Sequence, residues 1–206
     1  MILKVFEAKK INQNIHHLIL FYGKNEGLKN ETIDYLFKDK NKILNYDEKE
    51  ILDNENTFIE NILSKSLFDK EKIILIKRAT DKILKIIEIL NLKNLEDVTI
   101  IINSGNLEKK SKLRSFFEKN KKLVCVPFYP DNDQTLSKLA YNFLREKKIS
   151  ISPSNINLIV NKCSEDREKL INELQKIENF SRNGRKIISE NISKLINLSE
   201  NHSISE

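Results

Sequence analysis

A short glycine-containing segment that begins at Gly23 comes closer to a nucleotide site than any other part of the sequence. A phosphate-binding loop follows the pattern G-x-x-x-x-G-K and then Ser or Thr. Its glycines let backbone N–H groups approach the phosphates, and its hydroxyl binds Mg²⁺. Gly23 and Lys29 match the first glycine and the lysine, with Gly27 between them, but Leu28 replaces the second glycine and Asn30 the hydroxyl residue. We therefore predict a degenerate nucleotide loop (Gly23, Gly27 and Lys29), with weak nucleotide binding as the alternative.

The acidic residues that would complete a nucleotide site are missing. In a Walker B strand, an apolar run ends in an Asp that holds Mg²⁺. The matching run, residues 73–76, is followed instead by Lys77 and Arg78, which would repel the metal. We therefore predict no ATPase activity and no cofactor. We also predict no metal site, because Cys125, Cys163 and the three histidines show no metal-ligand spacing.

An apolar pair stands at the end of a predicted helix. Ser66, Leu67 and Phe68 follow a helical stretch and immediately precede a charged turn and the next apolar run. An apolar pair at a helix tip can fill a pocket on a partner protein. The same pair can also belong to an ordinary core, and the pattern by itself leaves both interpretations open.

Basic residues are concentrated in one part of the chain. The formal net charge is +6, and residues 107–122 hold seven lysines or arginines against two glutamates. A basic patch of this kind can attract nucleic acid. We predict a helix that could face DNA, and the alternative is a solvated helix face in a lysine-rich protein. The candidate residues are Lys109, Lys110, Lys112 and Arg114.

Five short apolar runs alternate with helical patterns in residues 1–130. Rich in Ile, Leu and Val, the runs are typical of strands that are buried on both faces of a parallel sheet. Strands that alternate with helices predict βαβ units and a doubly wound α/β sheet. The predicted strands are 17–22, 42–46, 72–77, 98–102 and 123–126, and the predicted helices are 27–39, 55–66, 80–91 and 109–120.

The pattern changes at residues 127–133, where prolines and Asp/Asn residues predict a linker. No convincing strand follows it, and the helical stretches are 134–147, 154–163, 164–180 and 189–198. We therefore predict an α/β domain over 1–130 and a small all-α helical bundle over 131–206. This is the layout of an AAA+ nucleotide-binding module, here with a degenerate P-loop. Such an analogy of architecture does not establish activity.

Taken together, these features resemble the DNA polymerase III delta subunit family of bacterial clamp loaders. The resemblance covers nearly the whole chain and rests on the order and spacing of several short pieces rather than on any one of them. The pieces are Tyr22 to Leu28, Ser66 to Ile76, Val98 to Leu113, Asp166 to Lys176 and Gly184 to Glu190.

The resemblance implies a non-catalytic subunit of a DNA-directed DNA polymerase (nucleotidyltransferase) holoenzyme. Subunits of the delta type bind the beta sliding clamp and open this ring for loading onto primed DNA, while gamma or tau subunits hydrolyse ATP. In that family a Leu-Phe pair enters a hydrophobic pocket on the clamp. The resemblance therefore implies clamp binding by Leu67 and Phe68, with Ser66 beside them.

Family members carry a third, all-helical collar domain, which assembles the loader with gamma, tau and delta-prime subunits. This chain stops after the second domain, so we expect clamp binding to persist and assembly with those subunits to be impaired. We also expect a cytoplasmic protein without a membrane partner, because the sequence shows no signal-peptide core and no apolar run of about 20 residues. The alternatives are an NTPase of the AAA+ class and a basic nucleic-acid-binding protein.

Overall fold

The computed structural model describes residues 1–37, 43–64, 72–93, 95, 97–182, 187 and 189–197. The chain divides into two compact units, Met1–Tyr129 and Pro130–Glu206. The boundary predicted after residue 130 lies one residue from this division. Within the described ranges, no helix is both long enough and apolar enough to cross a membrane.

The first unit is built on a sheet of five parallel strands in the order β2-β3-β4-β1-β5. Its strands are β1 Leu18–Gly23, β2 Ile43–Asp47, β3 Lys72–Ala79, β4 Val98–Ser104 and β5 Val124–Phe128. Its helices are α1 Glu26–Leu36, α2 Glu48–Asp53, α3 Glu55–Leu63, α4 Leu84–Asn91 and α5 Lys112–Lys119, with 3₁₀ helices at Val5–Lys10 and Asp81–Ile83. The predicted α/β class with a parallel sheet is confirmed.

Side chains of alternating strand residues pack on the two faces of this sheet. In β1, Leu20 faces a cluster that includes Phe58 of α3 and Phe117 of α5. The neighbouring Phe21 faces the opposite cluster, which includes Phe37 at the end of α1. Burying one such side chain stabilises the fold by about 1.5–3 kcal/mol. The apolar runs of β1, β4 and β5 are continuous rather than alternating because both faces of the sheet are covered there. The edge strand β2 differs from the expectation, since its residues are exposed or half-buried.

Two details differ from the sequence-based expectations. Pro127 and Phe128, predicted as linker, belong to β5. β5 is the last strand in the order of the sheet, and its outer side forms a bridge between Cys125 and Ile2. A proline is accommodated more readily in such an edge strand than inside a sheet. Phe128 is fully buried and its ring centroid lies 5.0 Å from that of Phe21. The helix α2 is the second difference, since no helix is predicted there.

The described part of the second unit consists of helices that share one core. They are α6 Asp133–Glu146, α7 Pro153–Cys163, α8 Arg167–Arg182 and α9 Ser189–Asn197, and no strand occurs among the residues described in this unit. Leu136, Ile159, Leu170 and Ile192 are among the residues that meet in the core. The helical character predicted for the C-terminal part of the chain is confirmed.

The start of α8 lies later than predicted. Ser164 has a positive φ of 51° and ends α7 in the left-handed region instead of starting the next helix. Asp166 precedes α8, and its Oδ1 accepts a hydrogen bond from the backbone N–H of Lys169 at 2.9 Å. A carboxylate at this position satisfies a backbone donor that has no partner inside the helix.

A buried ion pair joins the beginnings of α6 and α8. Nη1 of Arg167 donates to Oδ2 of Asp131 at 3.2 Å, and the two side chains are only 12% and 6% exposed. The hydroxyl of Thr135 donates to Oδ1 of Asp131 at 2.7 Å. The carboxylate that begins the second unit is therefore neutralised within that unit.

Candidate functional site

The connection between β1 and α1 is too short to wrap around a phosphate chain. β1 ends at Gly23 and α1 begins at Glu26, so two residues join them. Asn25 caps the helix, because its Oδ1 accepts a hydrogen bond from the backbone N–H of Leu28 at 3.0 Å. Gly27 therefore lies in the first turn of α1 rather than in an open loop.

Gly23 has a packing role that needs no ligand. Its φ is 130°, and a Cβ added there would lie 2.0 Å from the carbonyl oxygen of Phe128 on the adjoining strand β5. Its N–H donates to the carbonyl of Gly105 at 2.9 Å. The close approach of β5 and the positive φ both require glycine.

Lys29 is fully buried and bonded to groups of its own chain. Its Nζ donates to Oε1 of Glu26 and to the carbonyl oxygen of Ser104, each at 2.6 Å. Burial lowers the pKa of the Lys29 ammonium, and the hydrogen bond and charge of Glu26 oppose that effect. The lysine predicted for the degenerate nucleotide loop thus has an internal counter-ion.

A cavity of about 550 Å³ lies beside this ion pair, at the carboxyl ends of β3 and β4. Ligands of open α/β sheets usually bind in a crevice at that edge. The lining includes Glu26, Asn30, Lys77, Arg78 and Asn103, and Glu26 is the only acidic residue among the described residues that line it. Two cations stand at the end of β3, where an aspartate would hold Mg²⁺ beside a nucleotide.

Arg78 takes an unusual conformation at the end of β3. Its φ is 55°, and its guanidinium forms an ion pair with Asp47 at the end of β2. Lys77, beside it, is exposed. Across the part of the chain that the structure describes, no group of three His, Cys, Asp or Glu side chains is placed to hold a metal ion.

The predicted clamp-binding residues Ser66, Leu67 and Phe68 lie outside the described residues, and their role stays a prediction. The described chain stops before them at Ser64, the C-cap of α3, and resumes after them at Lys72, the first residue of β3.

The two residues that flank this segment are bonded to each other. The Lys72 Nζ donates to the carbonyl oxygen of Ser64 at 2.7 Å and to that of Asn61 at 2.9 Å. A cation at a helix C-terminus satisfies carbonyl groups that have no partner in the helix. The end of α3 is therefore fixed to the start of β3, which lies inside the sheet between β2 and β4.

The four residues proposed to face DNA fall into two groups. Lys109 and Lys110 are exposed in the turn before α5, which begins at the exposed Lys112 rather than at 109 as predicted. Arg114 points its donors inward: its Nε lies 2.8 Å from Oε1 of Glu118, and its Nη1 donates to a backbone carbonyl at 3.0 Å. Its guanidinium also lies 5.0 Å from the centroid of the Tyr22 ring. Arg114 is thus less suited to bind a phosphate than the three lysines.

Asp81, which sequence reasoning missed, fixes the start of this basic helix. Its carboxylate accepts hydrogen bonds from the Ser111 hydroxyl at 2.6 Å and from the backbone N–H groups of Lys112 and Leu113 at 3.1 and 3.0 Å. Burial raises the pKa of the Asp81 carboxyl, but these hydrogen bonds outweigh it, and the pKa is lower than the ordinary value of 3.8. No sequence signal links residues 30 positions apart, such as Asp81 and Ser111.

No protein-family model matches the sequence, and no curated protein matches it either. The fold is similar to solved structures. The Bacillus subtilis DNA clamp loader delta protein YqeN has 15% identity and a TM-score of 0.59, with 93% of this chain and 61% of that chain covered. Domain III of the Thermotoga maritima replication initiation protein DnaA has 14% identity and a TM-score of 0.54, with 93% of this chain and 88% of that chain covered. A point variant of Thermotoga maritima RuvB has 10% identity and a TM-score of 0.57, with 94% of this chain and 65% of that chain covered.

These similarities show the fold alone. The chain shares with these proteins a parallel α/β sheet followed by a helical portion, and it spans 61% of the length of the delta protein it matches. Because unrelated functions share such folds, the chemistry must be argued from the site.

We expect Gly23→Ala to destabilise the protein by at least about 2 kcal/mol, because the new methyl group meets a backbone oxygen at a positive φ. The measurement is urea unfolding followed by circular dichroism. Gly105→Ala is the matched control, since a Cβ at that glycine would meet no atom within 4 Å. Equal effects of the two substitutions would contradict the packing role of Gly23.

We expect Asp81→Ala to lower the free energy of unfolding by about 1 kcal/mol at neutral pH, which is the usual effect of removing a helix-capping side chain. The folded-state pKa of Asp81 is lowered, so its contribution is present above the ordinary value of 3.8 and disappears as the pH falls through the folded-state pKa. Unfolding measured from pH 7 downwards should therefore show the two proteins converging in acid. The control is Asp53→Ala, an exposed carboxylate at the end of α2, which should shift stability by less than about 0.5 kcal/mol.

Proposed function

We propose that this chain is a clamp-opening subunit of the delta type in a bacterial DNA polymerase III clamp loader, with no ATPase activity of its own. The observation that carries the proposal is an AAA+-like fold whose buried lysine, Lys29, is already paired with Glu26. A further support is the resemblance of the sequence to the delta family at the loop after β1, the Ser-Leu-Phe segment and the second unit.

The arrangement at the carboxyl edge of the sheet favours a binding function over ATP hydrolysis. Phosphoryl transfer depends on a Mg²⁺ held by a carboxylate and on backbone donors around the phosphates. Here the exposed Lys77 takes the place of that carboxylate, and the helix α1 starts where a loop would wrap the phosphates. ATP hydrolysis is accordingly assigned to the gamma or tau partners of the loader.

The proposed contact with the beta sliding clamp is made by Leu67 and Phe68. Two buried apolar side chains would contribute about 1.5–3 kcal/mol each, enough to dominate a small interface. The hydrogen bond between Lys72 and Ser64 joins the two described residues that flank this pair in the sequence, at the start of a strand that lies inside the sheet.

Clamp opening then follows from unequal binding to two states. A ligand shifts an equilibrium only by the difference in its affinity for the two conformations. The subunit would therefore bind the open form of the clamp more tightly than the closed ring. The gamma, tau and delta-prime subunits are the proposed assembly partners, and the beta sliding clamp is the partner tested first.

We expect the wild-type chain to bind its cognate beta sliding clamp, and the double variant Leu67→Ala, Phe68→Ala to bind it at least about 100-fold more weakly. The factor follows from the removal of two buried apolar side chains. Surface plasmon resonance or calorimetry measures the affinity, and circular dichroism establishes that the variant is folded.

The control for this experiment removes an exposed leucine and an exposed aromatic residue from the second unit. Leu158 and Tyr141 are 38% and 56% exposed, and Leu158→Ala, Tyr141→Ala should leave clamp affinity unchanged. Absence of binding by the wild type would reject the clamp-opening function. Binding that survives the removal of Leu67 and Phe68 would keep the partner and reject the site.

A second candidate function is contact with the DNA backbone through Lys109, Lys110 and Lys112. Their exposure at and just before the start of α5 favours it, because phosphate contacts need cations that are accessible to solvent. Lys110 has an ion pair with Glu108 at 2.9 Å, in which both side chains are more than half exposed. Such a pair is weak enough to be exchanged for a phosphate.

We expect the triple alanine variant of these lysines to bind primed DNA more weakly. The slope of log affinity against log salt should fall by about one for each phosphate that the variant no longer neutralises. Fluorescence anisotropy at several salt concentrations measures both quantities. A triple alanine variant at Lys138, Lys162 and Lys169, which lie in the second unit, is the matched control. Equal weakening in the two variants would indicate a non-specific effect of net charge.

A further inference from the structure

The pair formed by Glu26 and Lys29 brings a charge of the chain itself into the cavity at the carboxyl edge of the sheet. Oε1 of Glu26 lies 2.6 Å from the Lys29 Nζ, and the two residues are three positions apart on α1. The lysine side chain is 0% exposed, whereas that of Glu26 is 55% exposed. The ammonium group is thus hidden inside the fold, and the residue that neutralises it, Glu26, lines the cavity.

Glu26 occupies a position that favours negative charge for two reasons. It lies in the first turn of α1, where the unpaired backbone N–H groups of a helix attract anions. It also neutralises a buried ammonium, which would be costly without a counter-ion. Lys77 adds a cation to the lining of the same cavity, and so does Arg78, whose guanidinium is also paired with Asp47. The Glu26 carboxylate is therefore surrounded by a helix N-terminus and by cationic side chains, the same groups that bind phosphate in proteins.

We propose that Glu26 is an internal anion that occupies Lys29 and excludes phosphate-bearing ligands from this cavity. An incoming phosphate has to displace a carboxylate held on the same helix, which competes at an effective concentration of the order of millimolar or more. If the carboxylate stays in place, its charge repels the ligand. Glu26 therefore decides the specificity of the cavity, since it is the only acidic residue among the described residues of the lining.

Removal of this carboxylate should change what the cavity binds. Glu26→Gln leaves the Lys29 ammonium with the Ser104 carbonyl but without a counter-ion, and a small oxyanion can take that place. Because burial already lowers the pKa of Lys29 and the opposing effect of Glu26 is removed, the pKa of this lysine should fall further in the variant. Anion binding by the variant should therefore be tighter at pH 6 than at pH 9.

The exclusion of phosphate by Glu26 rests on one part of the proposed function, the absence of ATPase activity. It also supplies a physical cause for that absence. Clamp binding is a separate measurement, made without phosphate ligands. The chain can therefore bind the clamp even if Glu26 does not exclude anions, and Glu26 can exclude anions even if the chain does not bind the clamp.

The test uses inorganic pyrophosphate as the probe, with the full chain as wild type, Glu26→Gln, and Glu26→Gln combined with Lys29→Met. Calorimetry should show pyrophosphate binding to the single variant at least about tenfold tighter than to the wild type. At ten times Kd, the unfolding midpoint of that variant should rise by roughly 3 °C or more. The double variant should return to the wild-type affinity, because the lysine is absent.

Glu31→Gln is the control, since it removes a carboxylate of α1 that does not line this cavity, and it should behave as the wild type. Equal affinity of wild type and Glu26→Gln for pyrophosphate would overturn the proposal, as would tighter binding that persists without Lys29. If Glu26→Gln is unfolded in plain buffer, pyrophosphate should restore its circular dichroism spectrum. Failure to restore the fold would overturn the proposal as well.

Discussion

Burial of β1 on both faces is the constraint from which the first unit is built. A strand covered above and below can satisfy its backbone polar groups only through neighbouring strands, and here β4 and β5 supply them. Parallel neighbours in turn require helical crossovers, which bring the carboxyl ends of the strands to one edge. Tyr22 at the end of β1 is paired with Ser104 at the end of β4. The Ser104 carbonyl is consequently close enough to accept a hydrogen bond from the Lys29 ammonium.

The same constraint explains how much of this fold the sequence could predict. All five strands were predictable to within two residues. In the four strands other than β2 the predicted run is mostly apolar because it is buried on both faces, whereas the residues of β2 are exposed or half-buried. The helix α2 was not predictable, since only one of its apolar side chains, Ile51, is buried and six residues give little periodicity. Pro127 misled the prediction because a proline typical of a linker is equally compatible with the edge strand β5.

The candidate site was less predictable than the fold, because its contacts join residues that are far apart in sequence. The mismatched loop was visible, but the partners of Lys29 include Ser104, 75 positions away. The inward orientation of Arg114 depends on Glu118 and on Tyr22, and a count of basic residues cannot distinguish Arg114 from Lys112.

The close approach of β5 to Gly23 has a consequence for how such sequences evolve. The steric demand for glycine comes from the carbonyl of Phe128 and would persist in a protein that had long ceased to meet a nucleotide. A signature residue of an ancestral activity can therefore be retained by selection on architecture alone. A glycine that matches a nucleotide-binding motif is therefore no evidence of nucleotide chemistry where the packing of the fold by itself requires it.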